Sequence, residues 1–143
     1  MTIKSVDEFS LIKTYFTDRT RLRPDVLLGI GDDAAILTVP LGQSLVVCID
    51  TLVEGVHFLP QTDPEDIGHK VLAVNLSDLA AMGAEPSWMT LALTMPESHA
   101  TWLNKFSEGL FQLANQFNLQ LIDRKSTRLN SSHSTLSRMP SSA

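Results

Sequence analysis

Between Asp63 and Ile122 the sequence lays down a helix, a strand, a second helix and a second strand, and this order constrains the fold more than any other feature. Asp63 is a good N-cap, Pro64 suits the first helical position, and Glu65 and Asp66 complement the positive end of a helix dipole. The helix is predicted to run to about Met82 and to stop at Gly83. In "WMTLALTM", Met89, Leu91, Leu93 and Met95 alternate with Thr90, Ala92 and Thr94, the period of a half-buried strand. Trp102, Phe106, Leu110, Leu113 and Phe117 then mark another amphipathic helix, which leads into a strand at "LQLI". The sum is a β-α-β step within an α+β or α/β sheet.

Upstream, Ser5 followed by Glu8 forms a capping box, and Phe9, Ile12 and Phe16 recur at helical spacing. A basic, Pro-containing connector, "DRTRLRPD", separates this helix from two apolar runs, "VLLGI" and "AAILTV". Asp32 and Asp33 lie between those runs, and "PLGQ" then turns the chain into "SLVVCID". The pattern predicts strands with a hairpin at "PLGQ".

The pattern ends at Ile122. The remaining "DRKSTRLNSSHSTLSRMPSSA" has seven serines and no apolar periodicity. It resembles a short-read sequencing adapter translated in one frame, so residues 123–143 are set apart as non-native read-through or a disordered tail. Residues 1–122 are taken as the globular unit. With 143 residues and 43% hydrophobic content the chain suits one domain, or a piece of a larger one.

The charge is divided the same way. The last 21 residues hold four of the eleven Lys and Arg but one of the sixteen acids, which leaves −8 on residues 1–122. An acidic body without a basic stripe is a poor partner for nucleic acid, and it needs a bridging cation to handle phosphate. No apolar run reaches the length of a membrane span, and "MTIKSVDEFS" lacks the order of a signal peptide, so a cytoplasmic protein is expected. The single Cys48 has no partner for an internal disulfide and reads as a small buried thiol within an apolar run.

Against this background the acids acquire meaning. At about 100° per residue, Asn75 and Asp78 fall on the side of the first helix that carries Ile67, Val71, Leu79 and Met82. Small residues, Ala73, Ser77, Ala80 and Ala84, lie opposite. A carboxylate facing a core needs a hydrogen-bonding partner or a metal, so Asp78 is expected to have one. Asp50 ends "SLVVCI" and Asp32 and Asp33 follow "VLLGI", which places acids at two strand ends, where sites are commonly built. Acids drawn from a loop, a strand end and a helix make a hard oxygen site suited to Mg²⁺. The competing reading is ordinary turn chemistry, since "GDD" also occurs in surface turns. His57, in "EGVHF", is either a contact for an anionic substrate or a histidine satisfied by backbone.

Three motifs, "GIGDDAA", "DTLVEGVHFLP" and "NLSDLAAMGAEPSWMTLALTMP", occur in an order and spacing that resemble the N-terminal part of the thiamine-monophosphate kinase family. That family resembles aminoimidazole ribonucleotide synthetase in fold. The resemblance implies an α+β domain, with a mixed sheet flanked by helices and strands that pair across a homodimer. It is incomplete here at its C-terminal end. It further implies Mg²⁺- and ATP-dependent phosphorylation of thiamine monophosphate to thiamine diphosphate. Carried over position by position, it makes Asp33, Asp50 and Asp78 ligands of Mg²⁺, Asp32 and Thr51 weaker ones, and His57 a substrate contact.

Two departures accompany the resemblance. The family carries Ser or Thr just before the strand-end acid, where this chain has Cys48 and Ile49. After a strand like "LQLI" it continues "GGDTT", where this chain has Asp123, Arg124, Lys125, Ser126 and Thr127, so the fragment itself is expected to be inactive. The alternatives are another ATP-dependent synthetase of the same superfamily and a non-catalytic metal-binding or dimerisation module.

Overall fold

A computed structural model describes residues 13–95 and 99–128. Among these residues the strands are β1 (Val26–Leu28), β2 (Ile36–Leu37), β3 (Trp88–Met95) and β4 (Gln120–Arg128), and the α-helices are α1 (Pro64–Ala81) and α2 (Ala100–Gln116). A single π-type turn, Lys13–Thr17, precedes them.

Helix α1 begins and ends where its sequence dictates. The Asp63 carboxylate accepts the Glu65 N–H at 3.0 Å, with Pro64 in the first turn. At the other end Gly83 adopts φ +66°, its N–H bonds the Ala80 carbonyl at 3.0 Å, and the Ala84 N–H bonds the Leu79 carbonyl at 2.9 Å. This paired closure needs the left-handed backbone that glycine supplies without strain. Helix α2 closes in the same way around Asn118, at φ 55°, with the Leu119 N–H on the Ala114 carbonyl at 3.0 Å.

Strands β3 and β4 pair in parallel, from Trp88 opposite Gln120 to Met95 opposite Arg128, with an irregularity between Met89 and Thr90. Helix α2 is the crossover between them. Leu91, Leu119 and Leu121 pack with Leu103, Phe106, Leu110, Phe111, Leu113 and Ala114 of α2 and with Ile67 and Leu72 of α1. Phe16, 1% exposed, completes this core from the π-type turn. The rest of the helix expected from Ser5, with Phe9 and Ile12, lies outside the described residues.

The chain has the expected α+β architecture, but its strands fall into two separate pairs: β1 with β2 antiparallel, β3 with β4 parallel. The segment that would join them departs from expectation. "PLGQ" does turn, with the Gln43 N–H on the Pro40 carbonyl at 3.2 Å and Gly42 at φ +79°. Residues 44–50, expected as a strand, form no ladder among the described residues, and Leu45, Val47 and Ile49 are exposed. A β-strand is defined by its neighbour, and this segment has none among the described residues.

Strand β4 continues past Ile122, with Asp123 opposite Thr90 and Lys125 opposite Ala92. Part of the segment set apart from the sequence pattern is therefore paired to β3, and residues 129–143 lie outside the described residues. Among the described residues no helix is long and apolar enough to cross a membrane.

Candidate cation and phosphate site

Gly31, at φ +127°, lets the chain reverse between Ile30 and Asp32, and the Asp32 carboxylate then accepts the Asp33 N–H at 2.9 Å. Asp50 repeats the arrangement by accepting the Thr51 N–H at 2.7 Å. These are local turns of the kind that aspartate stabilises. Each engages one carboxylate oxygen with the backbone.

Asp32, Asp33, Asp50, Thr51 and Asp78 are all exposed. For Asp78 this corrects the expectation of a core-facing carboxylate. Its helical phase does match that of Ile67, but burial on α1 is confined to Ile67, Gly68 and Leu72, near the crossing with α2. Further along, Met82 is 70% exposed. Phase sets direction, whereas burial also needs a neighbour, and α2 covers only the first half of α1. The polar companion behaves differently: Asn75 is half-buried and its amide donates to the Val71 carbonyl at 3.0 Å.

Cys48 links the acidic loop to this helix. Its Sγ lies 3.7 Å from both the carbonyl and the side-chain oxygen of Asn75. Asp50 follows two residues after Cys48, and Asp78 follows one helical turn after Asn75. The two acids thus flank one contact, yet no three His, Cys, Asp or Glu side chains among the described residues approach closely enough to hold a metal ion. No ion pair among the described residues involves the four acids. Their chemistry, exposed carboxylates without competing cations, fits a hard divalent ion; their spacing in the chain alone does not assemble a complete ligand set.

His57 sits on a tight loop, residues 53–58. The Gly55 N–H bonds the Phe58 carbonyl at 2.8 Å, the His57 N–H bonds the Val53 carbonyl at 2.8 Å, and the Val53 N–H bonds the His57 Nδ1 at 2.9 Å. Nδ1 is thereby satisfied by backbone, while the residue stays exposed. Lys70 of α1 donates to the His57 carbonyl. Sequence reasoning gave Lys70 no role, because no periodicity links a surface lysine to a carbonyl 13 residues earlier.

The chain belongs to the family of AIR synthase related proteins, whose N-terminal domain matches residues 31–136. Within that class its relatives are thiamine-monophosphate kinases. It is 58% identical over 122 residues to that of Escherichia coli K12, covering 85% of this chain and 37% of the relative. Against the Bacillus subtilis kinase the identity is 44% over 119 residues, covering 82% and 36%. A crystal structure of the kinase from Stenotrophomonas maltophilia K279a superposes with a TM-score of 0.74 at 53% identity, covering 86% of this chain and 39% of that one. The chain therefore spans little more than a third of the length of the kinases it matches.

Proposed function

We propose that this chain is the N-terminal part of a cytoplasmic thiamine-monophosphate kinase, which phosphorylates thiamine monophosphate to thiamine diphosphate with ATP in thiamine diphosphate biosynthesis. The observation that carries this reading is the 58% identity over 122 residues to a kinase of that name. A phosphate oxygen of thiamine monophosphate attacks the γ-phosphorus of ATP, the bond to the β–γ bridging oxygen breaks, and ADP leaves.

Asp33, Asp50 and Asp78 would hold Mg²⁺, with Asp32 and Thr51 as weaker contributors and substrate phosphates completing the ligands. Mg²⁺ would neutralise charge on the transferred phosphoryl group and on the leaving ADP. The carboxylates, on two loops and one helix, are exposed and so accessible to a cation and its phosphate ligands. The His57 ring, whose Nδ1 accepts the Val53 N–H, offers its Nε2–H as a hydrogen-bond donor to one of these phosphates. In the full-length protein the exposed segment 44–50 pairs with a second copy, giving a homodimer. Alone, the 143-residue chain turns over no substrate, since it spans about 37% of its relatives and carries Lys125 where the family it resembles carries an acid.

The test is a chimera of residues 1–122 with the remaining segment of the Escherichia coli kinase, assayed for Mg²⁺-dependent conversion of thiamine monophosphate to thiamine diphosphate. Turnover is expected in the chimera and not in the 143-residue chain. Asp33→Asn, Asp50→Asn or Asp78→Asn should each lower kcat by about two orders of magnitude, the scale for losing one group that stabilises transition-state charge. Melting temperature should barely change. A folded chimera that binds Mg²⁺ but phosphorylates nothing would favour the non-catalytic module, and activity on another acceptor alone would favour a different synthetase of the superfamily.

A further inference from the structure

Loop 53–58 has no regular secondary structure, yet it is fixed from within and at its Phe58 end. Phe58 is packed against the core, and Gly55, at φ +79°, lets the loop close through its bond to the Phe58 carbonyl. The His57 ring accepts the Val53 N–H at Nδ1, so the neutral ring must carry its proton on Nε2. The His57 peptide is then tied to α1 by the Lys70 ammonium on its carbonyl, a charge-assisted bond from outside the loop. Each contact removes one freedom of the same side chain: ring tautomer, ring direction and loop position. An exposed histidine whose only task was packing would need none of them.

We propose that Lys70 is a positioning residue for His57: it docks loop 53–58 on α1 so that the imidazole, held as its Nε2–H tautomer by Val53, presents one fixed N–H donor to a phosphate oxygen of the substrate. This rests on the reading of His57 as a substrate contact, and it adds the residue that aims it. A preorganised donor avoids the cost of ordering a loop during binding. Lys70 need not touch the substrate, and its effect is transmitted through the His57 carbonyl.

The proposal is tested on the 143-residue chain labelled with ¹⁵N-histidine, by long-range ¹H–¹⁵N correlation at about pH 8, where imidazoles are neutral. The His57 signals are assigned by their loss in His57→Gln. A single Nε2–H tautomer is expected in the parent chain. Lys70→Met should move both ring nitrogens toward their common average, and Lys70→Arg, which restores a charged donor, should return them. A tautomer mixture in the parent, or a Lys70→Met spectrum identical to it, would overturn the positioning role. Titration of the chimera that carries residues 1–122 with thiamine monophosphate, in the presence of Mg²⁺, separates the underlying reading. A shift of the His57 Nε2 resonance supports the donor role, whereas an unmoved resonance beside a Lys70-dependent tautomer refutes substrate contact alone.

Discussion

Asp25 joins three segments that are distant in sequence. Its carboxylate takes the Arg23 guanidinium through Nε at 3.0 Å and Nη2 at 2.7 Å, and the Trp88 indole N–H at 3.1 Å. Arg23 continues the network, with Nη1 on the Asn118 carbonyl at 2.9 Å and its backbone N–H on the buried Gln120 side chain at 2.6 Å. The connector "DRTRLRPD" is thereby strapped across the starts of β3 and β4. Nothing in its composition separates such a strap from a solvated basic linker, because a cluster of charges records neither partner nor direction. The Arg23 hydrogen bond is the main reason the Asp25 carboxyl lies below its ordinary range, with the Trp88 N–H acting in the same direction and burial opposing both. A depressed folded pKa gives stability that is complete above the unfolded value of about 3.9 and is lost as pH falls through the folded value. Asp25→Asn should therefore cost about 1.5–3 kcal/mol near neutral pH, the range for a hydrogen bond to a charged group. Urea titrations of both chains should show that difference shrinking below about pH 4, once the parent carboxyl also protonates. A difference independent of pH would mean that shape, not charge, makes the strap.

Helices α1 and α2 meet where each lacks a side chain. A Cβ on Gly68 would overlap the Phe106 carbonyl of α2, and a Cβ on Gly109 would overlap the Glu65 carbonyl of α1. Both obstacles are backbone, so no rotamer relieves them and the helices must separate. Alanine favours an isolated helix by about 1 kcal/mol over glycine, but forced overpacking costs about 1–3 kcal/mol or more. Gly68→Ala and Gly109→Ala should each destabilise the domain, and the double variant should cost less than their sum, because one separation relieves both clashes. Denaturation midpoints of the three variants decide this; additive losses would show two independent contacts. The elements themselves were legible from sequence, because their signals are local: Asp63 with Pro64 starts α1, Gly83 ends it, and the alternation of "WMTLALTM" survives as a buried Leu91 between exposed Thr90 and Ala92. Long-range partnership has no such local signal. "SLVVCID" carries strand residues without a strand's neighbour among the described residues, Asp78 keeps the phase of a core position on the uncovered half of α1, and the mutual fit of Gly68 and Gly109 is visible only once the helices cross. The candidate site shows the same division: the acids are conspicuous in the sequence, whereas their spacing and the Lys70 anchor depend on tertiary contacts.

Across the whole molecule, apolar surface is distributed unevenly. The β3–α2–β4 unit and the start of α1 bury a continuous core, while Leu41, Val47, Ile49 and Val56 are more than three-quarters or nearly so exposed along one stretch of chain, with Leu27 and Leu59 nearby in order. Such a stretch combines unpaired backbone donors and acceptors with β-branched side chains, the combination that recruits another strand. Residues 44–50 have strand-like composition without a ladder among the described residues; in the homodimer proposed above, a second copy would supply the pairing partner. The prediction is that the 143-residue chain self-associates at micromolar concentration, and that Val47→Asp together with Ile49→Asp shifts it to monomer. Because both side chains stand clear of the core, far-UV circular dichroism and the melting of the helices should be nearly unchanged in the double variant. Sedimentation velocity over a concentration series provides the check. A parent chain that stays monomeric throughout would remove the second copy as the missing neighbour. A variant that loses helical signal along with association would show instead that the stretch packs within its own chain.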